Sequence, residues 1–253
     1  MVELSPLVIA GLALVALLAG FIDAIAGGGG LLTVPALLST GLDTPFVFGT
    51  NKGSAVFGSG SALLRFARAK LIDLQKARML FALGFLGSLG GAALLTVLDK
   101  NVLRPVVLVL LVAAGITVAF VRPKPREGPR PENTQLKGAI LAICIGAYDG
   151  FFGPGTGTFL IIGFVTLLGM TLQEGSANAK VVNFASNLAA MILFVIRGLV
   201  IWKVSIPMAF GQLLGGWLGA QLAVKRGDAL VRRVVLVVVL ALVARLGYDL
   251  WHA

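Results

Sequence analysis

Gly20-Phe21-Ile22-Asp23-Ala24-Ile25-Ala26-Gly27-Gly28-Gly29-Gly30 closes the first long apolar run of the chain. A second stretch, Gly146-Ala147-Tyr148-Asp149-Gly150-Phe151-Phe152-Gly153-Pro154-Gly155-Thr156-Gly157, is built the same way. In each, an apolar run delivers one carboxylate and, four residues on, a glycine cluster. Glycine disfavours helix by about 1 kcal/mol per residue and proline by about 3 kcal/mol, so an ordinary helix breaks there. A short apolar piece and then a polar cluster follow each break: Thr50-Asn51-Lys52 in the first case, Asn178-Ala179-Lys180 in the second. The spacing from carboxylate to lysine differs by only two residues between the copies, Leu63-Leu64-Arg65-Phe66 matches Met191-Ile192-Leu193-Phe194, and Gly87 and Gly91 match Gly215 and Gly219. This is an internal duplication.

Composition sets the class. The 253 residues are 58% hydrophobic and 13% charged, where soluble domains carry about 25% charged residues; mean hydropathy is +0.97. Almost every apolar run reaches the roughly 17 to 25 residues that cross about 30 Å of hydrocarbon. The expected fold is an all-α polytopic membrane protein. The net charge of +10 comes from Lys and Arg in the gaps between runs, the pattern of cytoplasmic loops facing an anionic leaflet. Aromatic and basic residues do not interleave on a polar surface, which argues against a nucleic-acid partner. The single cysteine, Cys144, lies within an apolar run and can form no intrachain disulfide. The amino terminus lacks the positive region of a secretory signal, so the first run reads as part of the mature protein.

Three segments follow: an N-terminal repeat over 1–121, a basic, proline-rich linker over 122–137, and a C-terminal repeat over 138–253. The first repeat holds two arms, Leu7–Ala26 and Leu31–Thr40, and runs Pro45–Leu64, Met79–Leu98 and Val106–Val121. The second holds Gly138–Phe152, Thr158–Met170, Ala177–Ile196, Val204–Val224 and Leu230–Leu250. Two topologies compete. If each broken segment crosses the membrane once, there are eight spans and the repeats are parallel. If each is a hairpin entering and leaving on one face, three spans follow it and the repeats are inverted. The hairpin arrangement separates Lys and Arg better, and places the linker in the cytoplasm and both termini in the periplasm. The fold expected is therefore two inverted repeats, each a broken helical hairpin plus three transmembrane helices.

Broken helices expose backbone groups that lipid cannot satisfy, so they persist only inside protein or along a wet cavity. Glycine lets an anion approach the backbone, and the amino-terminal amides of the second arms carry partial positive charge. This marks Gly28, Gly29, Gly30, Gly155 and Thr156 as substrate-binding candidates, with Thr33, and with Thr158 and Gln212 as weaker ones. Lys52 and Lys180 sit within apolar runs, where an unpaired cation costs about 2.5 to 3.5 kcal/mol. With Thr50, Asn51, Asn178, Asn183 and Asn187 they either hold an anionic substrate or form structural ion pairs with Asp23 or Asp149. Those two carboxylates are the ion-coupling candidates, for H+ or Na+, with helix capping as the alternative. Gly87-x-x-x-Gly91 and Gly215-x-x-x-Gly219 read as helix-packing motifs.

Enzyme readings fare poorly. The one histidine, His252, is at the carboxyl end and leaves a Ser or Cys nucleophile without a base. No His/Cys spacing fits a metal, and the Gly27–Gly30 run lacks the strand-helix-strand context of a dinucleotide loop. No catalytic residue, metal or cofactor is expected.

Four motifs in order carry a resemblance over nearly the whole chain: Gly27-Gly28-Gly29-Gly30-Leu31-Leu32-Thr33-Val34-Pro35, Gly49-Thr50-Asn51-Lys52, Tyr148-Asp149-Gly150-Phe151-Phe152-Gly153-Pro154, and Ala179-Lys180-Val181-Val182-Asn183-Phe184-Ala185-Ser186-Asn187. The chain resembles the TauE/SafE sulfite exporter family. The resemblance implies a multi-pass carrier of the bacterial inner membrane for sulfite, thiosulfate, sulfonates or other small organic anions. The reading is a secondary transporter working by alternating access, with a passive anion channel as the alternative. The partners are the bilayer and a small anion. Substrate identity, transport direction and oligomeric state are not encoded in these motifs.

Overall fold

A computed structural model describes residues 4–120, 131 and 133–226. Among the described residues the chain is all helical, without strands: α1 (Pro6–Ala26), α2 (Gly30–Leu38), α3 (Thr44–Arg68), α4 (Leu74–Val97), α5 (Lys100–Phe120), α6 (Thr134–Phe151), α7 (Thr156–Leu168), α8 (Leu172–Ile196) and α9 (Trp202–Arg226). The run expected over Leu230–Leu250 and most of the 122–137 linker lie outside the described residues. Helix α6 begins at Thr134, inside the expected linker, because nothing after Pro131 and Glu132 breaks the backbone and Thr-Gln-Leu-Lys is compatible with helix.

Local chemistry sets the helix starts. Pro6 occupies the first turn of α1 behind Ser5, whose Oγ accepts from the Val8 N–H. Thr171 and Glu174 close a reciprocal capping box on α8. Asp73 caps α4 by accepting the backbone N–H groups of Gln75 and Lys76. The Lys76 N–H, and after it that of Gln75, holds the Asp73 carboxyl below its ordinary range.

Three of the described helices, α1, α4 and α8, are long and apolar enough to cross a bilayer. Helices α3 and α9 each have 25 residues but carry glycines and polar side chains that turn inward. The surface is apolar where a soluble protein's would be polar: Leu14, Leu86, Phe210 and Ile196 are exposed, while Lys52, Lys180, Asp149, Asn183 and Asn187 are buried. That distribution suits a hydrocarbon solvent.

Glycines set the packing. Gly211, Gly215 and Gly219 of α9 step along α1 past Ala13, Leu17 and Phe21, so the two helices run side by side in one direction. Gly87 and Gly91 of α4 step likewise along α6 past Ile143 and Ala147. The close approach expected of both GxxxG pairs is therefore present. Helix α3 runs with α9, through Gly49 against Leu199, Gly53 against Ser205 and Gly58 against Gln212; α4 runs with α8, through Gly84 against Val182 and Ser88 bonded to Ser186. Gln173 at the start of α8 donates to the Ala223 and Val224 carbonyls at the end of α9, so these two are antiparallel. Helices α1, α3 and α9 thus point one way and α4, α6 and α8 the other.

These contacts predict a contrast between glycines. Gly91→Ala or Gly215→Ala puts a methyl onto the Ala147 or Leu17 carbonyl and lowers stability by about 1–3 kcal/mol. Gly11→Ala and Gly90→Ala meet no atom within 4 Å and gain about 0.5–1 kcal/mol. Thermal unfolding of the detergent-solubilised protein checks both directions.

Candidate functional site

The two helix breaks touch. Gly27 (φ 75°) and Gly28 (φ 89°) end α1, and Gly153 (φ 96°) and Gly155 (φ 86°) separate α6 from α7, all in a region that side chains with a Cβ rarely adopt. A Cβ on Gly27 would overlap the backbone of Gly157 and Thr158, and Gly30 lies against Pro154. The carbonyls at the end of α1 are bonded by hydroxyls of the other half: Thr158 Oγ1 donates to Ala26 O at 3.0 Å, and Ser176 Oγ donates to Ala24 O at 3.2 Å and Ile25 O at 3.0 Å. The second break is held locally, by Tyr148 Oη donating to Pro154 O and Thr156 Oγ1 to Gly153 O, each at 2.6 Å.

Around this crossing lies a cavity of about 30 Å³. It is lined by Asp23, Gly28, Gly29, Gly30 and Thr33 from the first break and by Asn51 and Lys52 from α3. From the second half come Asp149, Gly153, Thr156 and Gly157, then Asn183 and Asn187 from α8, with Gln212 from α9. Helix geometry explains the grouping on α8. Lys180, Asn183 and Asn187 fall three and four residues apart and so share one face.

The charged groups pair across the duplication. Lys52 Nζ lies 2.7 Å from Asp149 Oδ1, with both side chains almost wholly buried, and donates also to Asn187 Oδ1 at 2.9 Å. Lys180 Nζ lies 2.7 Å from Asp23 Oδ2. Each lysine therefore takes its counter-ion from the other repeat, and the four charges sum to zero. Of the two ways to accommodate a buried lysine, the structure shows the ion pair, which removes the cost of an unpaired cation.

The two carboxylates differ. Asp149 accepts from Lys52, from Thr156 Oγ1 at 2.9 Å and from Ser186 Oγ. Asp23 accepts from Lys180, from Asn183 Nδ2 at 3.3 Å and from the Gly29 N–H at 3.2 Å. The Asp23 side chain is 18% exposed against 3% for Asp149. Both lysine bridges measure 2.7 Å, but the further bonds to Asp23 are longer than those to Asp149, and Asp23 is less fully buried, on the cavity wall.

Three expected residues stand elsewhere. Thr50 faces α9, its Oγ1 accepting the Ile201 N–H at 3.1 Å. Asn178 donates to Glu174 O at 2.9 Å and lines a different cavity. Gly155 packs against Phe159 and Ala114. The cause for the first two is rotation, since residues two apart on a helix face opposite sides, so Thr50 and Asn178 point away from the lysines two positions on. Thr158 bonds the Ala26 carbonyl. Among unanticipated members, Ser186 stands three residues after Asn183 on the same face, and Ser59 Oγ accepts from Asn187 Nδ2 at 3.3 Å. Helical spacing from Asn183 reaches Ser186; nothing local marks Ser59.

Comparison with known proteins agrees with this architecture. The chain matches the family described as Sulfite exporter TauE/SafE over residues 12–246. It is 39% identical over 249 residues to the "Probable membrane transporter protein YfcA" of Escherichia coli K12, covering 97% of this chain and 91% of that protein. It is 40% identical over 237 residues to a "Probable membrane transporter protein" of Haemophilus influenzae, covering 93% and 92%. No solved structure matches. Family match and relatives alike extend over both helix breaks and both lysine clusters, and the chain belongs to the sulfite exporter TauE/SafE family.

Proposed function

We propose that this protein is a secondary transporter that moves sulfite-like, organosulfur or other small organic anions across the bacterial inner membrane by alternating access. The observation that carries the proposal is the pair of reciprocal Lys–Asp bridges around a small cavity where two broken helices cross. Breaks of this kind mark substrate sites in transporters built from repeats. The relatives' names, as membrane transporters, support the same reading.

The repeats are proposed to be inverted. Two features support this: α1 and α3 run against α6 and α8, and Leu168, at the end of α7, lies beside Gly138 near the start of α6, as in a hairpin that re-emerges on its face of origin. The excess of Lys and Arg in the 65–78 gap and the linker supports a cytoplasmic position for both, with the termini in the periplasm. The cavity of about 30 Å³ has room for about one or two waters. That size supports a carrier that closes around its cargo over a permanently open channel.

Charge balance supplies the mechanism. With both lysines paired, an incoming anion must take the place of a carboxylate. Asp23 is the carboxylate to leave, being the more exposed and, beside a bridge of equal length, held by the longer hydrogen bonds. Its protonation frees the Lys180 ammonium for the anion, so one proton and one monovalent anion move together without net charge. A sodium ion taken by the freed Asp23 would achieve the same balance.

Proteoliposomes test this directly. Uptake of sulfite, thiosulfate or a small sulfonate that follows an imposed proton or sodium gradient is the expected result; flux of these anions indifferent to both gradients supports the channel instead. Asp23→Asn leaves Lys180 unpaired, and should permit anion exchange while abolishing gradient-driven accumulation. The Lys52–Asp149 bridge is expected to be structural in part. Lys52→Met alone should cost about 3–5 kcal/mol by stranding a buried carboxylate, and Lys52→Met with Asp149→Asn should recover most of it. A double-mutant cycle on thermal unfolding reads that coupling.

A further inference from the structure

The duplication makes Asn178 the counterpart of Thr50, each standing two residues before its repeat's lysine. The surroundings of these matched positions differ. Thr50 is fully buried. Its Oγ1 accepts the Ile201 N–H at 3.1 Å, its carbonyl accepts from Ser205 Oγ at 3.2 Å, and the Leu199 carbonyl presses on Gly49. The turn between α8 and α9 is therefore seated on the first part of α3. Leu12, Val204 and Met208, which complete this end, are buried and apolar.

At the other end the matching positions are Gly138, Lys76 and Leu80, and here they line a cavity of about 320 Å³ with Asn178, Gln135 and Leu168. That volume is ten times the central one and large enough for a hydrated small anion. Lys76 stands at its mouth, exposed, with Asp73 at 3.5 Å. Asn178 is on its wall, while Lys180, two residues further along α8, holds Asp23 at the central site. Along the α8 axis less than one turn separates Asn178 from Lys180, on opposite faces, so the way from the antechamber to the counter-ion leads around α8.

We infer that this conformation is open at the end where α4, α6 and α8 begin and sealed where α1, α3 and α9 begin. The cavity at Asn178, with polar and apolar side chains on its wall, is the antechamber through which the anion reaches Lys180, and the seat of Ile201 on Thr50 is the closed gate. In a carrier of inverted repeats the two halves exchange surroundings between its two states, so the opposite state lifts the α8–α9 turn from Thr50 while the α3–α4 turn closes over Asn178. This rests on the transport reading above and adds to it which end is open, and which residues gate.

Cysteine accessibility tests it in a Cys144→Ala background, since Cys144 is the single native cysteine and is exposed. Asn178→Cys and Leu80→Cys report the antechamber; Thr50→Cys and Met208→Cys report the sealed end, the last without touching the Thr50 bond. With a membrane-impermeant thiol reagent applied separately to inside-out and right-side-out vesicles, the antechamber pair should react from the cytoplasmic face at least tenfold faster than the sealed pair from either face. Saturating sulfite or thiosulfate on both sides should narrow that ratio. Met208→Cys reacting as fast as Leu80→Cys, or both antechamber cysteines staying inert, overturns the gate assignment even if wild-type protein transports anions. Asymmetric labelling in a protein that moves none of these anions overturns the transport reading and leaves the open end standing.

Discussion

Two ammonium groups lie inside a bundle whose exterior is apolar, and each is neutralised by a carboxylate from the other half of the chain. A cation buried without a partner is costly, and a pair broken on one side costs more than a pair never made. The bridges therefore penalise any arrangement of the halves that would strand one of these charges. Every other feature of the centre serves these bridges. The glycine breaks bring Asp23 and Asp149 to the crossing point, and the absence of side chains at Gly27 and Gly157 lets the backbones meet there.

That neutral cluster also shapes the chemistry. A site lined by two free lysines would hold an anion tightly and release it slowly. On the proposed transport reading, a site whose lysines already have partners binds an anion only as strongly as the exchange of one negative group for another allows, which favours release on the far side. The difference between a tightly enclosed Asp149 and a partly exposed Asp23 makes the two half-sites unequal, although their sequence motifs match. The same inequality recurs at the ends of the bundle, where Thr50 is bonded to the α8–α9 turn and Asn178, itself buried, lines a cavity.

Much of this was legible in the residues. The breaks could be placed because four consecutive glycines and a Gly-Pro-Gly cannot extend a helix in any context, and the packing of Gly87, Gly91, Gly215 and Gly219 followed from their spacing. The lysines were singled out because apolar runs penalise them. Thr50 and Asn178 were misassigned to the centre through adjacency in sequence, although a helix turns about 100° per residue and carries neighbours two apart to opposite faces. Gly155 was grouped with the site by its place in the break, while its α-carbon in fact packs on Phe159.

What the sequence determined by itself was the membrane setting, the duplication and the positions of both breaks, since each depends on local composition and backbone freedom. What only the tertiary structure decided was the pairing: Lys52 with Asp149, Lys180 with Asp23, and hydroxyls of the second half on the end of α1. Either lysine could have been neutralised by the aspartate of its own repeat on sequence grounds alone. The choice is made by how each helix is rotated against its neighbours, and that rotation is set by the close contacts of α1 with α9 and of α4 with α6, far along the chain from the charges they align.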